Sequence, residues 1–188
     1  MSAYVLTRKG QTLETPSFIT ALFSDKRFSI IWLAVRVWLG WQWLEAGLGK
    51  FTNPAWMQTG AALKGFWTAA VQVPAQGKPP ISYAWYRGFI QYMLDAQAYT
   101  WFAKIIVFSE LLFGIALIAG IFIGATAFFS GFMNWNYIMA GSASVNGLFF
   151  GLAVMLVLAW KIAGYFGLDY FLLPRVADLW MKKDAVEK

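Results

Sequence analysis

Apolar residues along this chain come in long unbroken blocks, set between shorter segments that alternate on a helical period. The first block runs from Phe28 to Lys50, and the second from Trp101 to Ala140 with only Lys104 and Glu110 charged. A helix needs about 20 apolar residues to cross the ~30 Å hydrocarbon layer of a bilayer. The first block meets that length. The second is 40 residues long, which at ~1.5 Å per residue is ~60 Å of helix, twice what one crossing needs. It therefore predicts two spans joined by a tight turn at the "AGIFIGA" stretch, Ala119–Ala125, where Gly120 and Gly124 sit. The predicted spans are about 28–50, 101–123, 125–140 and 145–166. Between the first two, Trp56, Leu63, Trp67 and Ala70 fall on one helical face, and beyond "PAQGKPP" the residues Trp85, Phe89, Tyr92 and Ala96 repeat the pattern. This region, 51–100, reads as two amphipathic helices lying at a membrane interface with their aromatics towards the lipid.

Composition strengthens this picture. Of 188 residues 60% are hydrophobic and 13% charged, against about 25% charged in soluble domains. The fold class expected is an all-α integral membrane protein, a four-helix transmembrane bundle with interfacial amphipathic helices between spans one and two. The net charge of +6 does not point to nucleic acid, because the basic residues concentrate in the tails. Arg8, Lys9, Lys26 and Arg27 lie in the 1–27 tail, and Arg175, Lys182, Lys183 and Lys188 in the 167–188 tail. Four spans place both tails on one side, and the positive-inside rule makes that side the cytoplasm. The expected location is the cell membrane, multi-pass, with 28–166 as the membrane domain and 51–100 outside. The first 27 residues are polar and contain no signal-peptide apolar region.

Cysteine and histidine are both absent. That excludes disulfides, thiolate nucleophiles, zinc sites built on Cys or His, and His-ligated haem in this chain. Redox chemistry here requires a partner or a bound organic cofactor.

The candidate chemistry lies in polar residues inside the apolar blocks, each costing at least ~2.5–3.5 kcal/mol at the centre of a span. On span one Arg36, Gly40, Trp43, Gly47 and Lys50 are spaced +4, +3, +4, +3 and share a stripe, with glycines that let another backbone approach closely. Glu45 lies on the opposite side of that helix. On span three Thr126, Ser130, Asn134, Tyr137 and Gly141 form a second stripe. By helical rise Glu45 is ~7–8 Å and Arg36 ~21 Å below Lys50, and Glu110 is ~9 Å below Lys104. Depth thus allows Glu45, Glu110, Asn134, Asn136 and Tyr137 to line one polar cavity in the outer half. Two readings stand. In one, Arg36 pairs with Glu110 and the asparagines hold helices together. In the other, carboxylates and amides line a pocket for a quinone head group or a proton relay, with Asn134, Asn136 and Tyr137 binding carbonyls and Glu110, Glu45 and Arg36 serving the chemistry.

The same residues carry a resemblance. Arg36, Gly40, Gly47 and Lys50, then Glu110 and Gly114 in "SELLFGIALIAG", then "FMNWNYIMAGSASVNGLFF" and "WKIAGYFGLDYFLLP" resemble, in order, the four spans and closing segment of the DoxX family, more closely its DoxD branch. DoxD is the membrane subunit of thiosulfate:quinone oxidoreductase. The resemblance runs from about Phe28 to Pro174. It implies a four-helix membrane bundle tied to electron transfer into quinone, with two thiosulfates joined to tetrathionate, and a second subunit that is not in this chain. Lys50, Lys104 and Arg87, with Lys64, would then give the outer mouth a positive field for an anionic substrate. The alternative expectation is a non-catalytic accessory or structural subunit of a larger respiratory or photosynthetic membrane complex. A small-solute transporter is a weaker third, since no inverted repeat is evident.

Overall fold

The computed structural model describes residues 16–186, with side chains through residue 178. Arg8, Lys9 and Lys188, counted above in the basic tails, lie outside the described residues, as do the side chains of Lys182 and Lys183. Ten α-helices follow one another with no strand among the described residues: α1 Ser17–Ser24, α2 Ser29–Phe51, α3 Pro54–Met57, α4 Ala61–Ala70, α5 Ala84–Asp95, α6 Tyr99–Ala119, α7 Ile123–Met139, α8 Asn146–Leu158, α9 Trp160–Ala163 and α10 Asp169–Val186. One 3-10 turn, Lys26–Phe28, leads into α2.

The centre of the molecule is the antiparallel pair α2 and α6. Its closeness follows from glycine. A Cβ added to Gly114 would lie 2.7 Å from the Leu44 nitrogen, one on Gly40 2.9 Å from the Gly114 carbonyl oxygen, and one on Gly47 2.8 Å from the Leu111 side chain. The predicted stripe on α2 is this seam: Arg36, Gly40, Trp43 and Gly47 are buried on it and Lys50 ends it half-buried. A second antiparallel pair, α7 and α8, lies alongside, with Gly131 against Ala153 and Gly124 against Trp160. Trp32, Leu39, Trp43, Leu117, Ile123 and Leu156 fill the space between the pairs.

The tight turn between α6 and α7 falls at residues 120–122. Gly120 (φ 75°) and Phe122 (φ 44°) both adopt left-handed backbone there. The predicted fourth span is interrupted. Helix α8 ends at Leu158, and α9 resumes at Trp160 for one turn. At ~1.5 Å per residue α8 alone is ~20 Å long, short of a bilayer crossing. Helix α6, 21 residues long, is the one described helix both long and apolar enough to cross a membrane. Helix α2 is 23 residues long but carries Arg36, Glu45 and Lys50.

The 51–100 region corrects one expectation. The stripe on α4 does not face outward: Leu63, Trp67 and Ala70 are buried, and Trp67 packs on Phe102 with ring centroids 5.7 Å apart. Ile81, Tyr86, Ile90, Ala103 and Ile106 complete this second core. The cause is that α4 packs on the N-terminal end of α6, so its aromatic face has protein to cover. On α5, Trp85, Phe89 and Tyr92 are exposed.

Several polar side chains are buried and a long apolar stripe is exposed. Arg36, Glu110, Ser130 and Asn134 are buried, while Trp101, Ile105, Phe108, Leu112 and Ile115 form an exposed apolar stripe down α6.

Candidate functional site

Where α2, α6 and α7 meet, three side chains converge. The Lys50 ammonium donates to both oxygens of Glu110, at 2.7 Å to Oε2 and 3.0 Å to Oε1. The Tyr137 hydroxyl donates to Glu110 Oε1 at 3.0 Å. Glu110 is buried, while the Lys50 side chain retains 23% of its exposure. The Lys50 ammonium also lies 5.4 Å from the centre of the Trp56 ring, within cation–π range. Lys50 reaches Glu110 because the glycine seam brings the end of α2 level with the middle of α6.

These groups form one wall of a cavity of about 300 Å³, at the lower end of the usual range for small-molecule sites. Trp43, Trp56, Phe66 and Phe149 supply an aromatic lining, and Gln42, Asn134 and Asn146 the amides. Asn134 is fully buried, and neither its Nδ2 nor its Oδ1 has a hydrogen-bond partner; the Trp43 Nε1 is also buried without one. Buried polar groups are nearly always satisfied, because leaving one unpaired costs about 1–3 kcal/mol. The residues that carry these unpaired atoms are among those that line the cavity.

Of the sequence candidates, Glu110, Lys50, Asn134 and Tyr137 come together at this cavity. The others do not. Arg36 does not meet Glu110. It is buried at the opposite end of the seam, donating from Nη1 to the carbonyls of Leu117 (2.5 Å) and Ile118 (2.7 Å) and from Nη2 to that of Phe166 (2.9 Å). These are carbonyls that the end of α6 leaves open, so Arg36 ties α6 to the segment before α10. Helical rise explains the outcome: Arg36 is ~21 Å from Lys50 along α2, and Lys50 already lies at the level of Glu110. Glu45 is exposed on the outer face of α2 and has no hydrogen bond or ion pair among the described residues. Asn136 turns to the α5 side, donating to the Phe132 carbonyl (2.8 Å) and accepting from the Tyr86 hydroxyl (3.1 Å). Burial pushes the Tyr86 hydroxyl up to about 12, so it remains a donor. Lys104 is exposed, and Arg87 donates to the Ile81 carbonyl at 3.4 Å. Of the residues expected to form a cationic mouth, Lys50 is engaged by the Glu110 carboxylate.

Two residues carry no sequence signal for their roles. The helical stripe places Trp43 on the seam, but spacing says nothing of whether its indole N–H is paired. Asp169 is buried, and its carboxylate accepts from the backbone N–H groups of Phe122 (2.6 Å) and Ile123 (2.8 Å), capping α7. Burial raises its carboxyl above the ordinary value, and those two hydrogen bonds and Arg36 offset part of the rise. An Asp 46 positions from the helix it caps leaves no local sequence signal.

No protein-family model matches this chain, and neither a curated protein nor a solved structure matches it, so its function is argued from the site.

Proposed function

We propose that the chain is a membrane-embedded, quinone-binding subunit of an oxidoreductase, as the DoxD-like pattern of its sequence implies. The observation that carries this reading is the Lys50–Glu110–Tyr137 cluster on the wall of an aromatic cavity whose Asn134 amide is buried and unpaired. In this reading α2, α6, α7 and the α8–α9 pair are four spans with both tails on the cytoplasmic side. The exposed apolar stripe down α6 supports it.

The residues fit a quinone ring. The cavity walls are flat aromatics, Asn134 Nδ2 and Trp43 Nε1 are free to donate to a ring oxygen, and the space suits one ring system. A bound quinone supplies a two-electron, two-proton acceptor, which the side chains of this chain do not. Glu110 holds an exchangeable proton position within hydrogen-bond reach of Tyr137 Oη, and Lys50 sets the charge balance. Because Lys50 and Glu110 neutralise each other, the cavity suits an uncharged ligand. In the thiosulfate version two thiosulfates would release two electrons on forming tetrathionate, and a partner subunit would bind that dianion and pass the electrons on.

Membranes containing the protein and its partner subunit should reduce a short-chain quinone with thiosulfate. Glu110→Gln should slow that reduction about 100-fold, the scale of lost general acid–base catalysis. Full activity in Glu110→Gln would overturn the assignment.

A second reading has its own observation. Glu45 stands on an exposed face of α2 beside Trp41 and Leu48, a place where a carboxylate in lipid requires a partner. That favours an accessory subunit held in a larger complex. The protein purified in mild detergent should then migrate as part of an assembly that Glu45→Leu disperses, and an unchanged assembly would remove this reading.

A further inference from the structure

Resting on the quinone reading, we infer that the cavity selects the reduced, hydroxyl-bearing form of the ring over the oxidised form, through Asn134. The argument is a count of hydrogen-bond capacities. Two of the residues lining the cavity carry three buried, unpaired atoms: Asn134 Nδ2 and Trp43 Nε1, which donate, and Asn134 Oδ1, which accepts. A quinone oxygen only accepts. It can satisfy the two donors, and it leaves Oδ1 buried and unpaired. A quinol hydroxyl donates as well as accepts, so it can satisfy Oδ1 too. A site with a buried acceptor discriminates strongly against a ligand lacking the matching donor.

The neighbours do not remove this asymmetry. Tyr137 gives its one donor to Glu110, Lys50 gives two of its three to the same carboxylate, and the Asn146 amide donates to the Ser142 carbonyl at 2.8 Å. Asn134 is fixed on α7, with Ser130 one turn before it also buried and its hydroxyl turned back to the Ala127 carbonyl at 3.1 Å. In this arrangement none of these donors bonds Oδ1. A site that holds the reduced ring more tightly also makes the bound ring easier to reduce, which suits a subunit that delivers electrons to it.

The test is anaerobic calorimetric titration of the full chain in detergent with a short-chain naphthoquinone and, separately, with its chemically reduced naphthalenediol. The expected result is about tenfold tighter binding of the diol, the worth of one buried hydrogen bond. Asn134→Leu should abolish the preference, weakening the diol about tenfold more than it weakens the quinone, which loses only its bond from Nδ2. Asn134→Ala gives the same readout if the leucine variant lacks a cooperative melt. Equal affinity for the two forms, or tighter binding of the quinone, overturns this inference and leaves the quinone reading standing. A preference that survives in both Asn134 variants overturns the role of Asn134. Binding of neither form overturns the quinone reading, and this inference with it.

Discussion

Glu110 is a buried carboxylate whose stability depends on one ammonium. Removing that ammonium with Lys50→Met leaves the charge without its ion partner, a change that costs about 3–5 kcal/mol in fully buried pairs. The partial exposure of Lys50 reduces this to about 2–3 kcal/mol. Thermal melts in detergent should show that loss for Lys50→Met, and recovery of most of it when Glu110→Gln is added. A double variant no more stable than Lys50→Met alone would mean the pair is not coupled. Tyr86 provides a pH readout at the same scale. Its folded value of about 12 stands above the ordinary 10.0, so its hydroxyl contributes stability that is complete below pH ~10 and lost as pH rises towards 12. The stability difference between the wild type and Tyr86→Phe should therefore be constant up to pH ~10 and shrink above it. A difference that is flat across pH 10–12 would contradict the burial of that hydroxyl. Sequence made Glu110, Lys50, Asn134 and Tyr137 visible as candidates, because polar residues in apolar blocks are rare. It could not pair them. Pairing depended on the vertical offset of α2 against α6, which the glycines set and which spacing along either helix alone does not contain.

At the scale of elements, close approach of backbones at the α2–α6 seam makes the glycines unequal. Gly114→Ala places a methyl group 2.7 Å from the Leu44 nitrogen and should destabilise by about 1–3 kcal/mol, the cost of overpacking. Gly65→Ala in α4, where an added Cβ meets nothing within 4 Å, should stabilise by about 0.5–1 kcal/mol through helix propensity. Melting temperatures should move in opposite directions, and a Gly114→Ala protein as stable as the wild type would show that the seam has slack. Asp169 tests the other end of the bundle. Asp169→Ala removes the cap on the start of α7 and should lower stability by about 1–2 kcal/mol. The seam itself was legible from the stripe Arg36, Gly40, Trp43, Gly47 and Lys50, since small residues at helical spacing mark close contact. The inward turn of α4 was not, because a buried aromatic face and an interfacial one share the same period. The break at Ala159 had no Gly or Pro to announce it.

At the scale of the whole molecule, the proposal of four spans fixes which ends share a side. The sequence contains no cysteine, so single cysteines can be placed without background. Lys26→Cys and Lys78→Cys should react with a membrane-impermeant maleimide from opposite sides of sealed vesicles. Labelling of both from one side would remove the four-span order.

Arg36 determines how such a molecule can be wired for protons. Its guanidinium is held inside the bundle by backbone carbonyls, with no carboxylate at ion-pair distance among the described residues. In the proposed orientation it stands between the Glu110 cavity and the cytoplasm. Asp169, the carboxyl whose charge Arg36 feels, is occupied by the backbone N–H groups that start α7, and a fixed cation held by carbonyls repels hydronium, as cationic constrictions do in water channels. Glu110 would then exchange protons with the outer face alone, and the bundle would be electrically tight towards the inside. Proteoliposomes carrying Arg36→Met would be expected to lose a pH gradient faster than those carrying the wild type, whether or not any substrate is present.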